Sequence, residues 1–200
     1  GKIAQVGHIP EYLEHQAVNL VGFYDLNEKR AEELAEKYGG KAYGSVEELL
    51  ADPQIDAVSI CTANHTHAEL TIKALKAGKH VLCEKPMAIT LEECQRMVEC
   101  AEENHRKLLI GQNQRLTRTH QMARKLIADG EIGNVLSFQT SFQHSGPESW
   151  SVDAGKNTWF FQKKAAAMGV MGDLGIHKTD LIQYLLDDQI VEVTAEFSTL

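Results

Sequence analysis

Apolar residues in the first half of the chain come as short runs separated by segments of helical period. Asn19–Tyr24 (NLVGFY), Ile55–Cys61 (IDAVSIC), His80–Cys83 (HVLC) and Lys107–Gly111 (KLLIG) are each the length and composition of a strand buried on both faces. Between the first two, Ala31, Leu34, Ala35 and Tyr38 recur at i, i+3, i+4 and i+7, which predicts a helix from about Glu28 to Tyr38 closed by Gly39 and Gly40. Leu70, Ala74 and Leu75 mark another helix that stops at Gly78, and Leu91, Cys94, Met97, Val98 and Ala101 line one face of a third. Ser45-Val46-Glu47-Glu48, Thr66-His67-Ala68-Glu69 and Thr90-Leu91-Glu92-Glu93 have the spacing of capping boxes at helix starts. Strand and helix alternate, the pattern of a parallel sheet with helices on both faces.

After about Gln112 the pattern changes. A helix is predicted from Arg118 to Asp129, ended by Gly130, and another from about Leu174 to Leu186. Leu136, Phe138, Thr140 and Phe142 alternate with Ser137, Gln139, Ser141 and Gln143; Val191, Val193, Ala195 and Phe197 alternate with Glu192, Thr194, Glu196 and Ser198. Period-two alternation predicts strands of an antiparallel sheet covered on one side. The domain boundary is therefore expected near residue 112, with one domain over 1–112 and part of a second over 113–200. The polar stretch His144–Asn157 is a long loop and a functional suspect. Both ends read as incomplete: no strand precedes GKIA, and the second domain stops after one return strand.

Composition narrows the function. A net charge of -8, with no run of Lys or Arg, argues against a nucleic-acid partner. No apolar run is long enough to span a bilayer. Cys61, Cys83, Cys94 and Cys100 form no C-x-x-C pair, and two lie in strand-like runs, so they are expected reduced in a cytoplasmic protein. The chain begins at Gly1, which leaves room for a preceding targeting segment.

Candidate chemistry collects at the carboxyl ends of the predicted strands, where open α/β sheets bind ligands. Gly1, Lys2, Ile3 and Ala4 fit the latter half of a glycine turn that admits a pyrophosphate. Asp25 ends a strand about twenty residues on, placed to accept from an adenosine ribose or to cap the next helix; spacing leaves both open. An acid there favours NAD over NADP, with Lys29 and Arg30 close by to soften the preference. Thr62, Asn64 and His67 follow the next strand, as cofactor contacts or as turn and surface residues. His65 and His67 lack further ligands at a zinc-like spacing. Lys85, between Glu84 and Pro86, is a positioned cation or a loop lysine. Asp173 and His177 share a helix face, where a carboxylate can orient an imidazole base or simply meet solvent.

Taken in order, GKIA, Asp25, AEELAEKYG, VEELLADPQIDAVSICTANHTHAE, AGKHVLCEKPMA, KLLIGQNQR, GEIGNV and GDLGIHKTD resemble the Gfo/Idh/MocA family of nicotinamide-dependent oxidoreductases over essentially the whole chain. The resemblance implies an α/β protein: a Rossmann doubly wound parallel sheet, then an α/β domain with an open, largely antiparallel sheet that packs against a sister subunit. It implies Lys85, Asp173 and His177 as the catalytic group. Glu84 would border the nicotinamide ribose, with Thr62, Asn64, His67 and Asn113 also on the cofactor. Arg115 would stand where cofactor meets substrate, and His144 and Trp159 are further substrate candidates. The implied cofactor is NAD, with NADP possible, and the implied substrate a sugar or polyol. Two alternatives stay open: NAD-assisted glycoside cleavage, and a dinucleotide-sensing regulator. Ala63 replaces a usual proline, and Ala167 and Met168 stand where many relatives have glycines. With its first strand absent, the chain is expected to bind dinucleotide below full strength.

Overall fold

The computed structural model describes residues 1–153, 155 and 158–197. The last loop positions, and Ser198 of the second alternating segment, lie outside them.

A π-helical turn, Ala4–His8, runs into α1 (Ile9–Glu14). Then come β1 (Gly22–Phe23), α2 (Glu28–Tyr38), β2 (Lys41–Ala42), α3 (Val46–Ala51), β3 (Ala57–Ile60), α4 (His67–Lys76), β4 (His80–Cys83), α5 (Leu91–Glu103) and β5 (Leu108–Ile110). Among the described residues all strand pairs are parallel, in two sheets, β1-β2 and β3-β4-β5. Ile60 pairs with Cys83 and Cys83 with Ile110, so these three strands end together and present one rim.

Each sheet has its own core. Ile60, Leu75, Val81, Cys83, Met97 and Cys100 are buried around the three-stranded sheet. Ile9, Phe23, Ala31 and Leu34 form a smaller cluster beside β1. The apolar runs and the i, i+3, i+4 faces named above thus become the packed surfaces.

Of the three expected capping-box starts, Ser45 and Thr90 cap their helices and Thr66 does not. Thr90 and Glu93 form a full capping box on α5. Ser45 caps α3 by accepting from Glu48 N, while Glu48 reaches back to Gly44 N. Asn27, and not Asp25, caps α2. Thr66 does not cap α4: its hydroxyl donates to Ala63 O at 2.8 Å, because a 3₁₀ turn, Asn64–Thr66, precedes the helix. The strand expected over Asn19–Tyr24 is two residues long, since only Gly22 and Phe23 are in register with a neighbour. That neighbour, β2, was not foreseen; Lys-Ala carries no apolar pattern.

Beyond the 3₁₀ turn Asn113–Leu116, α6 (Arg118–Ala128) and α8 (Ile176–Leu186) pack together. Short α7 (Lys163–Ala166) and a π-turn, Met171–Gly175, lead into α8. The two alternating segments form no strand among the described residues. A one-sided strand is held by its ladder partners and its covered face, and here both are lacking: Leu136 is 95% and Val191 97% exposed.

Candidate active site

The rim is built by the register of β3, β4 and β5. Glu84 follows β4 and its N–H donates to Ile60 O at 3.0 Å, continuing the ladder one step past the strand. Gly111 follows β5, donating to Cys83 O at 2.8 Å. A Cβ on Gly111 would stand 3.1 Å from the Glu84 carboxyl group, so glycine is what lets the carboxylate lie flat against the rim. His67 braces the same rim: it is buried, with Nδ1 2.7 Å from Pro86 O and Nε2 3.2 Å from Thr62 O. Burial pushes its pKa down against those hydrogen bonds. The Lys85–Pro86 peptide is cis.

Lys85 reaches across to the second half of the chain. Its Nζ donates to Asp173 O at 2.7 Å and to Asp173 Oδ1 at 3.1 Å. The other carboxylate oxygen, Oδ2, accepts from His144 Nε2 at 3.1 Å, and His144 Nδ1 accepts from Gly146 N, which fixes the tautomer. The sequence expectation that Asp173 orients His177 therefore takes a different form. In the π-turn the carboxylate is directed to Lys85 and His144, and His177 Nδ1 is buried with no hydrogen-bond partner. Burial first, and the Lys85 charge second, push the His177 pKa down to about 4. Phe142, from the first alternating segment, lies against the His177 ring at 5.8 Å between centroids.

Other candidates fall in several places. Asn64 is buried and donates to Ala166 O at 3.0 Å, tying the rim to α7. Thr62 and Asn113 are exposed at the rim. Arg115 forks onto Asp180, Nε to Oδ2 at 2.7 Å and Nη2 to Oδ1 at 2.5 Å, and lies over Tyr184. Trp159 stacks on Phe160 at 4.0 Å and is not brought to Lys85. Ala167 has φ 57°, a conformation that L side chains rarely adopt. The Met168 side chain beside it approaches Gly172, where a Cβ would lie 3.1 Å from Met168 Cβ.

The residues proposed for the adenosine end do converge. Gly1 lies between the ends of the two sheets: its backbone nitrogen is 3.6 Å from Asp25 Oδ2, and a Cβ on it would stand 3.2 Å from Cys61 O. Asp25 is bound by Arg30 Nη1 at 3.0 Å. Beside them an open cavity of about 630 Å³ is lined by Lys2, Gln5, Asn27, Lys29, Arg30 and Ser151. Arg30 also pairs with Asp153 at 2.8 Å, and Lys2 donates to Ser149 O, so the long loop touches this end. A dinucleotide fits these features: a glycine against backbone at a helix start, an acid for the ribose, cations for phosphate, and buried Gln112 Oε1 and His177 Nδ1 still without partners. Sequence reasoning missed His8, whose Nε2 donates to Glu84 Oε1 at 2.8 Å, and missed Gly111. No spacing signals a contact between residues so far apart in sequence.

Residues 1–112 match the oxidoreductase family with an NAD-binding Rossmann fold, GFO_IDH_MocA, and residues 120–200 match a GFO/IDH/MocA C-terminal domain. The glucose-6-phosphate 3-dehydrogenase of Bacillus subtilis is 34% identical, over 90% of this chain and 51% of that protein. The myo-inositol 2-dehydrogenase of Thermotoga maritima is 33% identical, over 90% of this chain and 51% of that protein. A crystal structure of aldose-aldose oxidoreductase from Caulobacter crescentus superposes with TM-score 0.78 at 25% identity, covering 94% of this chain and 55% of that one. The chain thus spans about half the length of these relatives. Both family matches place the chain in the Gfo/Idh/MocA family of oxidoreductases.

Proposed function

We propose that the full-length protein is a nicotinamide-dependent dehydrogenase acting on a secondary alcohol of a sugar or polyol, with a cofactor domain over 1–112 and a substrate and assembly domain over 113–200. The observation that carries this is the clasp of Lys85 by Asp173 beside a neutral His177 with an unpartnered ring nitrogen. An imidazole held well below its usual pKa of about 6.5 is neutral at neutral pH, so its open ring nitrogen can accept the hydroxyl hydrogen as a weak base that passes the proton on readily. A lysine ammonium fixed by two oxygens of Asp173 is aimed rather than mobile, and stabilises the alkoxide as the hydroxyl proton leaves.

In this mechanism the hydroxyl proton goes to His177, and Lys85 stabilises the charge left on oxygen. Asp173 sets the direction of Lys85, and His144 steadies Asp173 from the other side. The chemistry supplied by bound nicotinamide is acceptance of the hydride released from the carbinol carbon. Gly1, Lys2, Ile3 and Asp25 would hold the adenosine and pyrophosphate end. Glu84, Thr62 and Asn113 would flank the nicotinamide end, while Asn64 and His67 hold the rim behind it. Arg30 partly neutralises Asp25, and Lys2 and Lys29 lie nearby, so NADP is admitted alongside NAD. Names of relatives, among them the dehydrogenases of glucose 6-phosphate and myo-inositol, support the substrate class. A homo-oligomer in the cytoplasm completes the proposal, supported by apolar side chains such as Leu136, Val191 and Val193 that stand open.

The test is a panel of sugars and inositols offered to the full-length protein with NAD or NADP, following nicotinamide absorbance. Net reduction of the cofactor with one member supports the proposal. Absence of cofactor reduction across the panel, with cofactor binding intact, would overturn it.

A further inference from the structure

We propose that His8 is a positioning residue for the cofactor: it fixes the Glu84 carboxylate as a preset acceptor for the nicotinamide ribose. The inference rests on the reading of Glu84 as the ribose neighbour.

The π-helical turn Ala4–His8 brings the imidazole to the rim from the helix that opens at the junction of the two sheets. His8 Nε2 donates to Glu84 Oε1 at 2.8 Å, and Lys85 N–H donates to Glu84 Oε2 at 3.1 Å. Both oxygens are thus held, yet each carboxylate oxygen accepts more than one hydrogen bond, so the group keeps capacity for a ribose hydroxyl. Gly111 provides the clearance on its far side. The imidazole is itself held from behind. Its Nδ1 lies 3.3 Å from Tyr12 Oη, the rings meet edge to face, and the Tyr12 hydroxyl contacts Ser59 Oγ on β3. A chain of side chains therefore runs from β3 through α1 to the residue after β4.

The charged and titratable groups facing His8 are Glu84 with Lys85 behind it from the β4 end, Cys61 from the β3 end, and Tyr12 from its own helix. The neighbouring Cys61 side chain and the hydrogen bond to Glu84 push the His8 pKa up to about 11. Glu84 is lowered, its burial outweighed by His8 and by the Lys85 backbone. The pair stays charged across the neutral range, as a permanent fixture of the apo protein should.

The test uses the full-length protein and measures NAD dissociation constants and steady-state constants for His8→Ala, His8→Gln, Glu84→Gln and the double variant His8→Ala/Glu84→Gln. Loss of a charge-assisted hydrogen bond predicts that His8→Ala weakens NAD about tenfold, seen in KM for NAD, with kcat within about twofold. His8→Gln, which keeps a donor, should recover part of that loss. In the Glu84→Gln background His8→Ala should add nothing. A normal NAD affinity for a folded His8→Ala, or an equal loss with Glu84 already replaced, would overturn the role of His8. Should Glu84→Gln itself leave NAD affinity unchanged, the ribose reading fails first. If His8→Ala does not fold, the His8→Gln and Glu84→Gln pair decides by the same non-additivity.

Discussion

His8 pairs with Glu84 and His177 feels the charge of Lys85, and their surroundings drive their pKa values apart. His8 stands against the Glu84 carboxylate at 2.8 Å on the Rossmann side, and its pKa is pushed up to about 11. His177 starts from the same imidazole on the side of α8, is buried without a partner on Nδ1, feels the Lys85 charge, and is pushed down to about 4. The difference fits the roles proposed above: a charged His8 is a fixed donor to Glu84, and a neutral His177 offers an open ring nitrogen to a substrate hydroxyl. Lys85 joins the two, since its backbone N–H helps hold Glu84 and its Nζ is gripped by Asp173.

The strongest way to break the contrast is Lys85→Ala. Loss of a fixed charge aimed at developing alkoxide should lower kcat by roughly 10²–10³, with NAD affinity nearly unchanged. Turnover that survives this change would remove Lys85 from the chemistry.

The pH dependence sharpens the contrast. His177 must be neutral to accept, so kcat/KM should fall on the acid side at about pH 4 and not near the ordinary imidazole value of about 6.5. In Lys85→Ala the residual activity should show this limb moved up, though burial, the larger cause, keeps it below 6.5. The stability signs are opposite as well. Between about pH 6.5 and about 4 the unfolded chain binds a proton that buried His177 refuses, so this histidine takes stability away as pH falls. His8 is the reverse: its stabilisation is complete below about pH 6.5 and is lost as pH rises toward about 11. An acid limb at 6.5 in the unaltered protein would erase the distinction.

The two sides also differ in how far the sequence revealed them. The parallel strands, their helices and the EKP rim were legible because buried runs and capping residues act locally; Thr90 with Glu93 is one such signal realised in full. Residue pairs that meet through the fold were not. His8 finds Glu84 only because a π-turn directs it there, and Asp173 turns to Lys85 for the same kind of reason, although its spacing pointed to His177. The alternating segments at Leu136–Phe142 and Val191–Phe197 have a strand pattern, but pattern makes a strand only where a neighbour completes the ladder. Phe142 instead covers His177.

A smaller change tests the Rossmann side alone. Gly111→Ala places a methyl group 3.1 Å from the Glu84 carboxyl carbon and both oxygens, tight enough that the side chain must shift by a few tenths of an ångström. That movement disturbs the hydrogen bond from His8 without touching Lys85 Nζ or His177. The expected result is a KM for NAD raised about threefold, of order 0.7 kcal/mol, with kcat and the acid limb unchanged. A drop in kcat without a change in KM would mean that Glu84 acts on chemistry rather than on the cofactor.

The smallest functional effect should come from the start of α5, which follows the EKP loop directly. Thr90 Oγ1 accepts from Glu93 N at 3.1 Å, and Glu93 Oε2 accepts from the backbone of Ile89 and Thr90. Thr90→Ala removes one cap hydrogen bond and should cost about 1 kcal/mol in urea or thermal unfolding. Two physical pictures of the rim part here. If the helix start holds the loop, loosening it should let Glu84 and Lys85 drift, and both KM for NAD and kcat should worsen. In the structure, though, Glu84 N is bonded to Ile60 O, Gly111 N to Cys83 O, and His67 clasps Pro86 O from within the core. These bonds belong to the sheet and to α4, and none passes through Thr90. Stability should therefore fall while KM, kcat and the pH profile stay within about twofold of the unaltered protein. A shift of the acid limb in Thr90→Ala would show that the α5 cap, and not the strand register, keeps the two histidines apart.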